Sequence, residues 1–343
     1  MTSFHNPKPS SAQTTEMTTL EQAVEESSRL QEQPSSFISF SQERRLVGNE
    51  ISAVFNDSFY ADPYRPSVHS PWQQMLLEDA QMLLNNPRQQ ACFIPEAPSG
   101  LIEILLHESP AKTLSSLLSR DELLTKNVLK LANSRFFRQG NAPIENLRQA
   151  LATQGVEALL ALTASAMMHP ILNCKSHLYP EFGTNLWGLS LLNAMLCRNL
   201  CNERSETHPT IAFLAGMLFH MGTIPIFSYV EQRLERREDK NHDNQWLFNE
   251  LIRRYSRQMG GVIAHNWGLP DNLIIALSEQ SFEPEDISSD LGRQLYKSYR
   301  ATQVAWCIRS KSITKENAER ALKLWNLPPK LITRILRSNN IQK

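Results

Sequence analysis

The stretch Gly216-Met217-Leu218-Phe219-His220-Met221-Gly222 places one imidazole at the end of an apolar run, between two glycines. Read as an adjacent pair of metal ligands, Phe219-His220 fails. A phenyl ring cannot donate to a metal, and a single imidazole lacks the carboxylate oxygen that helps neutralise a hard dication. Around this stretch helical periodicity dominates, through Leu101, Ile104 and Leu105; Leu123, Leu124, Val128 and Leu131; Leu147, Ala150 and Leu151; Leu191, Leu192, Met195 and Leu196. Long alternating strand patterns are absent, so the pattern predicts an all-α bundle.

The same reading extends to both ends of the 343-residue chain. Residues 1–35 are rich in Ser, Thr, Gln and Glu and poor in aromatics; they cannot bury enough surface to offset chain entropy and are expected to be a disordered tail. Residues 36–87 form an N-terminal extension with one helix. Phe37, Phe40, Phe55, Phe59, Tyr60 and Tyr64 give it anchors for docking on the domain or on a partner. Its helix is predicted to start after Pro71, with the stripe Trp72, Met75, Leu76, Ala80, Leu83 and Leu84, and to end at Asn85-Asn86-Pro87. Residues 88–340 form the main helical domain. Within it, Trp267-Gly268-Leu269-Pro270 is echoed by Trp325-Asn326-Leu327-Pro328, each read as a helix end, a Leu-Pro turn and a new helix.

Hydrophobic residues make up 41% of the chain, enough for a substantial core, and apolar stretches such as Ile211 to Met221 fall short of a membrane span. The N-terminus has no secretory pattern, and five cysteines form no disulfide-like framework. The expected compartment is the cytoplasm. Cys197 and Cys201 are expected to pack in the core. Net charge is zero, but residues 1–60 carry more Asp and Glu than Lys and Arg, while residues 293–343 carry Arg293, Lys297, Arg300, Arg309, Lys311, Lys315, Arg320, Lys323, Lys330, Arg334, Arg337 and Lys343 against Glu316 and Glu319. Such a bias reads as solvated helix faces or as a phosphate-attracting surface.

From about residue 88 to about 300 the chain resembles an HDOD domain, the HD-related output domain of bacterial signalling proteins. The resemblance runs through Phe93-Ile94-Pro95, Ser119-Arg120-Asp121-Glu122-Leu123-Leu124, Val128-Leu129-Lys130-Leu131-Ala132-Asn133-Ser134, Asn146-Leu147-Arg148-Gln149-Ala150 with Gly155, Trp187-Gly188-Leu189-Ser190, Ala212 to Gly216 with Gly222, and Trp267-Gly268-Leu269-Pro270. It implies an HD-like multi-helix bundle, with Asn133, Ser134, Gly155, Trp187, Gly216, Gly222, Trp267 and Pro270 as structural positions. In HD-type phosphohydrolases the helix matching residues 216–222 reads Gly-Leu-Leu-His-Asp-Ile-Gly, and its His-Asp pair holds a catalytic metal.

The other family ligand slots fall at Leu189, Ser256 and Gln280, none of them a His or an acid. His220 therefore stands alone, either as a surviving ligand or phosphate contact or as a core residue satisfied by a backbone carbonyl or an Asn. Asn133-Ser134 reads physically as a helix-end cap, and His265 as solvent-facing. No nucleophile elbow, phosphate loop or zinc helix is present.

These readings predict a non-enzyme without a cofactor: a regulatory scaffold for signal transduction that binds a protein partner. A residual metal-dependent phosphohydrolase or nucleotide-binding protein is the second reading. Nucleic-acid binding through the basic C-terminal helices is the third, and it predicts an affinity that falls steeply with salt; a DNA-reading motif at the two Leu-Pro turns is disfavoured, because the helices after them are largely apolar.

Overall fold

Proline at first turns, polar caps and glycine or asparagine at helix ends divide the chain into helices. The computed structural model describes residues 47–53, 55, 71–86, 93–98, 100–106, 110–134, 137–138, 142–176, 180–201, 207–235 and 245–337. The tail over 1–35 and the anchors Phe37, Phe40, Phe59, Tyr60 and Tyr64 lie outside the described residues. Among the described residues all regular structure is helical: residues 47–53, then α1 (Pro71–Asn85), α2 (Leu101–Leu106), α3 (Pro110–Arg120), α4 (Glu122–Ala132), α5 (Leu147–Leu172), α6 (Phe182–Leu200) and α7 (Pro209–Leu218). A 3-10 turn, Phe219–Gly222, joins α7 to α8 (Thr223–Glu235). There follow α9 (Gln245–Asn266), α10 (Asp271–Ser278), α11 (Asp290–Arg309), α12 (Lys315–Leu324) and α13 (Pro329–Arg337). The all-α bundle read from the sequence is the observed architecture.

Local chemistry explains the boundaries. The side chains of Asp121 and Asn146 accept the backbone N–H of Leu124 at 2.8 Å and of Gln149 at 2.9 Å, capping α4 and α5. Gln149 reaches back to the N–H of Glu145 at 2.9 Å, much as the glutamate of a capping box does. α5 is broken at Gly155, where φ is 82° and ψ 171°. Nothing lies within 4 Å of a Cβ added there, so the backbone conformation, and not space, calls for glycine.

α1 begins at Pro71 and ends at Asn85, as its sequence predicts. It buries Leu76 and Ala80 on α9, exposes Met75 and Met82, and is held to α8 by an Asp79–Arg233 ion pair at 2.9 Å. The main core fills the space among α1 to α11. A second cluster lies among α11, α12 and α13, with Leu196 of α6 and Ile51 from the N-terminal helical segment. Two helical runs, Leu147–Leu172 and Pro209–Arg233, are long and apolar enough to cross a membrane by length and composition alone, whereas the sequence reading judged the apolar stretch inside the second, Ile211 to Met221, too short for a span. Their apolar windows are 67% and 94% buried inside the bundle, as those of core helices are.

Candidate functional site

Two glycines position the turn between α7 and α8. A Cβ on Gly216 would lie 2.6 Å from Ala194 Cα and 2.7 Å from Asn193 O, so glycine lets α7 lie directly on α6. A Cβ on Gly222 would lie 1.8 Å from Ser256 O and 2.5 Å from Gly260 N, so the turn meets α9 backbone to backbone. Fully buried Asn193 locks the arrangement. Its Nδ2 donates to Gly216 O at 3.0 Å, and its Oδ1 accepts from Ser298 Oγ at 2.8 Å and Thr302 Oγ1 at 3.4 Å. One amide thus joins α6, α7 and α11. The sequence reading missed it, although a lone Asn inside the apolar run 191–196 was the available signal.

The side chains at the turn form an aromatic cluster. Phe219 packs on Tyr299 with ring centroids 4.4 Å apart and on His220 at 5.0 Å, and the Arg257 guanidinium lies 5.3 Å over the Tyr299 ring. His220 is buried and its Nδ1 has no hydrogen-bond partner. The expectation of a core histidine satisfied by a backbone carbonyl or an Asn is not met at Nδ1, and the buried amide of Asn193 is directed to Gly216 O. Burial pushes the His220 pKa down to about 3, so the ring is neutral at physiological pH.

Of the remaining family slots, Leu189 is buried in the main core and Ser256 sits half-buried beside Gly222. Gln280 is directed elsewhere, its Nε2 donating to Ala276 O at 2.8 Å and Gly292 O at 3.1 Å. Beside it, Glu279 accepts the N–H and hydroxyl groups of Ser288 and Ser289 at the start of α11. Burial alone would raise its carboxyl pKa; the bonds from Ser289 and Ser288 outweigh that and hold it below the usual carboxylate range.

Among the described residues no three His, Cys, Asp or Glu side chains converge as metal ligands. Phenyl and leucine side chains in two slots, with one imidazole and no carboxylate, do not fit a divalent cation.

The other singled-out residues hold the fold. Asn133 caps α4 and clamps the following loop: its Nδ2 donates to Leu129 O at 3.0 Å and Ile144 O at 2.7 Å, while its Oδ1 accepts from Ile144 N at 2.8 Å. The hydroxyl of Ser134 is buried without a partner, against the expected capping role. Trp187 packs edge-on against His169 at 4.8 Å, and Trp267 donates from Nε1 to Pro95 O at 2.8 Å. Burial, and then the charge of Lys130, lower the His169 pKa. Pro270 precedes α10, and His265 is exposed as expected.

Cys197 is fully buried and its thiol pKa is pushed up to about 12 by desolvation; half-buried Cys201 places its Sγ 3.4 Å from Gln294 Oε1. Most C-terminal cations lie on exposed faces. Arg300 does not, and the reading that grouped it with the solvated charges is corrected: it is buried.

A model of the HDOD domain family matches residues 100–281. A candidate metal-dependent phosphohydrolase from Shewanella amazonensis SB2B shares the fold, with a TM-score of 0.55 at 16% identity over 78% of this chain and 96% of that one. Also similar are an HDOD domain protein of unknown function from Geobacter sulfurreducens (TM-score 0.49, 16% identity, 88% of this chain and 96% of that one) and a candidate phosphohydrolase from the same Shewanella strain (0.48, 21%, 73% and 86%). No curated protein matches the chain.

Proposed function

We propose, on the premise that this chain belongs to the HDOD domain family, that it is a regulatory protein working through protein–protein contact and not through catalysis. The observation that carries the reading is the packing of Phe219 on Tyr299, 4.4 Å between centroids, where a hydrolase of this lineage would need a metal ligand. An HD hydrolase gains its rate by polarising a phosphoryl oxygen or generating hydroxide on a metal. Here the doublet offers an aromatic ring and a neutral, buried imidazole. What is left is a rigid helical scaffold, and scaffolds of this kind act by presenting surfaces; the fold alone does not fix the role.

The test is metal content and uptake by the purified full chain. The expected outcome is no stoichiometric Mn, Fe, Zn or Mg, none taken up on titration, and phosphodiester hydrolysis at background. Stoichiometric uptake together with metal-dependent hydrolysis overturns the proposal and restores the phosphohydrolase reading, with ligands drawn from outside positions 189, 219, 220, 256 and 280. In the positive arm, the full chain is used as bait in a nuclease-treated lysate and retains a protein partner.

A further inference from the structure

We propose that the face formed by α11, α12 and α13 is a docking site for an amphipathic helix, and that residues 47–55 of this chain are its detachable occupant. The proposal rests on the interaction reading for its role, and names the surface that reading leaves open. Val47, Ile51 and Phe55 recur every four residues and so share one stripe. Ile51, with Val47 against it, enters the cluster of Ala301, Val304, Leu322, Trp325 and Ile335. Phe55 is buried and meets Trp306 edge-on at 6.4 Å.

The polar side of the segment is read by Arg300. Its Nη1 donates to Gly48 O at 3.1 Å, to Ser52 Oγ and to Gln303 Oε1 at 3.1 Å; its Nε donates to Tyr296 Oη at 3.1 Å. The guanidinium lies 5.1 Å from the Tyr296 ring centroid and 6.0 Å from that of Trp325. All these partners are neutral. A buried cation with neutral acceptors retains part of its desolvation penalty, so the segment is held less firmly than the core helices, while its own bonds to Arg300 and the apolar packing of Ile51 and Phe55 still favour the docked state. A helix this short does not persist in isolation, so helix formation and docking occur together. Two of the Arg300 acceptors belong to the segment itself, so the site selects a helix that brings a backbone carbonyl and a hydroxyl one turn apart beside an apolar stripe.

The contact also reaches the 3-10 turn. Gln303, within 3.3 Å of Ser52 Oγ through its Nε2, donates from the same nitrogen to Tyr299 Oη at 3.1 Å, and the Tyr299 ring rests on Phe219. Occupancy of the face and the packing of the turn thus share a residue.

The experiment measures uptake of a fluorescein-labelled peptide of residues 44–58 by full-length chains. The expected result is no uptake by the wild type, whose own segment fills the site, saturable binding by Ile51→Asp, and binding at least tenfold weaker when Arg300→Gln is added. Equal uptake by wild type and Ile51→Asp, no uptake by a cooperatively melting Ile51→Asp chain, or indifference to Arg300→Gln overturns the proposal. So does an Ile51→Asp chain that sediments as a dimer without taking up peptide, since a second copy then fills the face. Should Ile51→Asp lose its cooperative melt, amide exchange in the wild type decides. Residues 47–53 are expected to exchange far faster than α11, and equal protection of the two overturns detachability. Metal uptake leaves this test unaffected, so the two proposals fail separately.

Discussion

Two turns of this molecule have the same backbone and use their tryptophans in opposite ways. After α9, Gly268 at φ 63° lets Leu269 N–H reach Ala264 O at 3.1 Å and its own N–H reach His265 O at 3.0 Å. After α12, Asn326 at φ 53° does the same, with Leu327 N–H on Leu322 O at 3.3 Å and Asn326 N–H on Lys323 O at 2.9 Å. Both are Schellman endings, and in both the next helix starts on a proline carbonyl, that of Pro270 or Pro328. Yet Trp267 donates its indole N–H to Pro95 O, whereas the Trp325 N–H is buried without a partner and offers its face to Arg300. A short sequence echo therefore specifies how the backbone turns. What the indole does is decided by segments far away in the chain.

The largest effect is expected from removing the tether. Trp267→Ala should cost about 3–5 kcal/mol by urea unfolding, as loss of a large buried aromatic does. Substitution by Phe sharpens the contrast: Trp267→Phe should cost about 1–2 kcal/mol more than Trp325→Phe, because the former also deprives Pro95 O of its donor. Equal costs would show that the indole N–H groups do not distinguish the two turns. At the left-handed positions, Gly268→Ala should cost about 1–2 kcal/mol, since an L side chain is strained at that φ, and Asn326→Ala less, because a side chain is already tolerated there. The smallest effect is expected for Asn326→Gly, a change within about 0.5 kcal/mol in thermal or denaturant unfolding. A larger shift there would mean that the Asn326 side chain contributes more than its backbone conformation.

Features set by neighbours in sequence were legible in advance. The start of α1 at Pro71, the two Leu-Pro turns and the helix-end cap at Asn133 follow from local rules, and the bundle follows from apolar spacing. Gly155 was singled out as a structural position by the family resemblance and not by apolar spacing, because helical periodicity continues on both sides of it and the positive φ places the break. The failures are non-local. Arg300 looked like one more cation on a solvated face, but its burial depends on Gly48 and Ser52, and no charge count along the C-terminus can include them. His220 was expected to find a carbonyl or an amide. Its Nδ1 finds neither, and the buried Asn193 amide serves Gly216 O, a choice set by how α6, α7 and α11 meet.

The unpartnered nitrogen of His220 also gives the bundle a proton balance. In the unfolded chain this imidazole takes up a proton near its ordinary value of 6.5, whereas in the folded chain it does so only at about 3. As pH falls from 6.5 towards 3, the unfolded state therefore holds the extra proton and the folded state does not, and this one residue steadily lowers stability across that window. Below the window the loss levels off, and above it the ring is silent. A buried side chain that is neutral at neutral pH thus links the stability of the whole bundle to acidity.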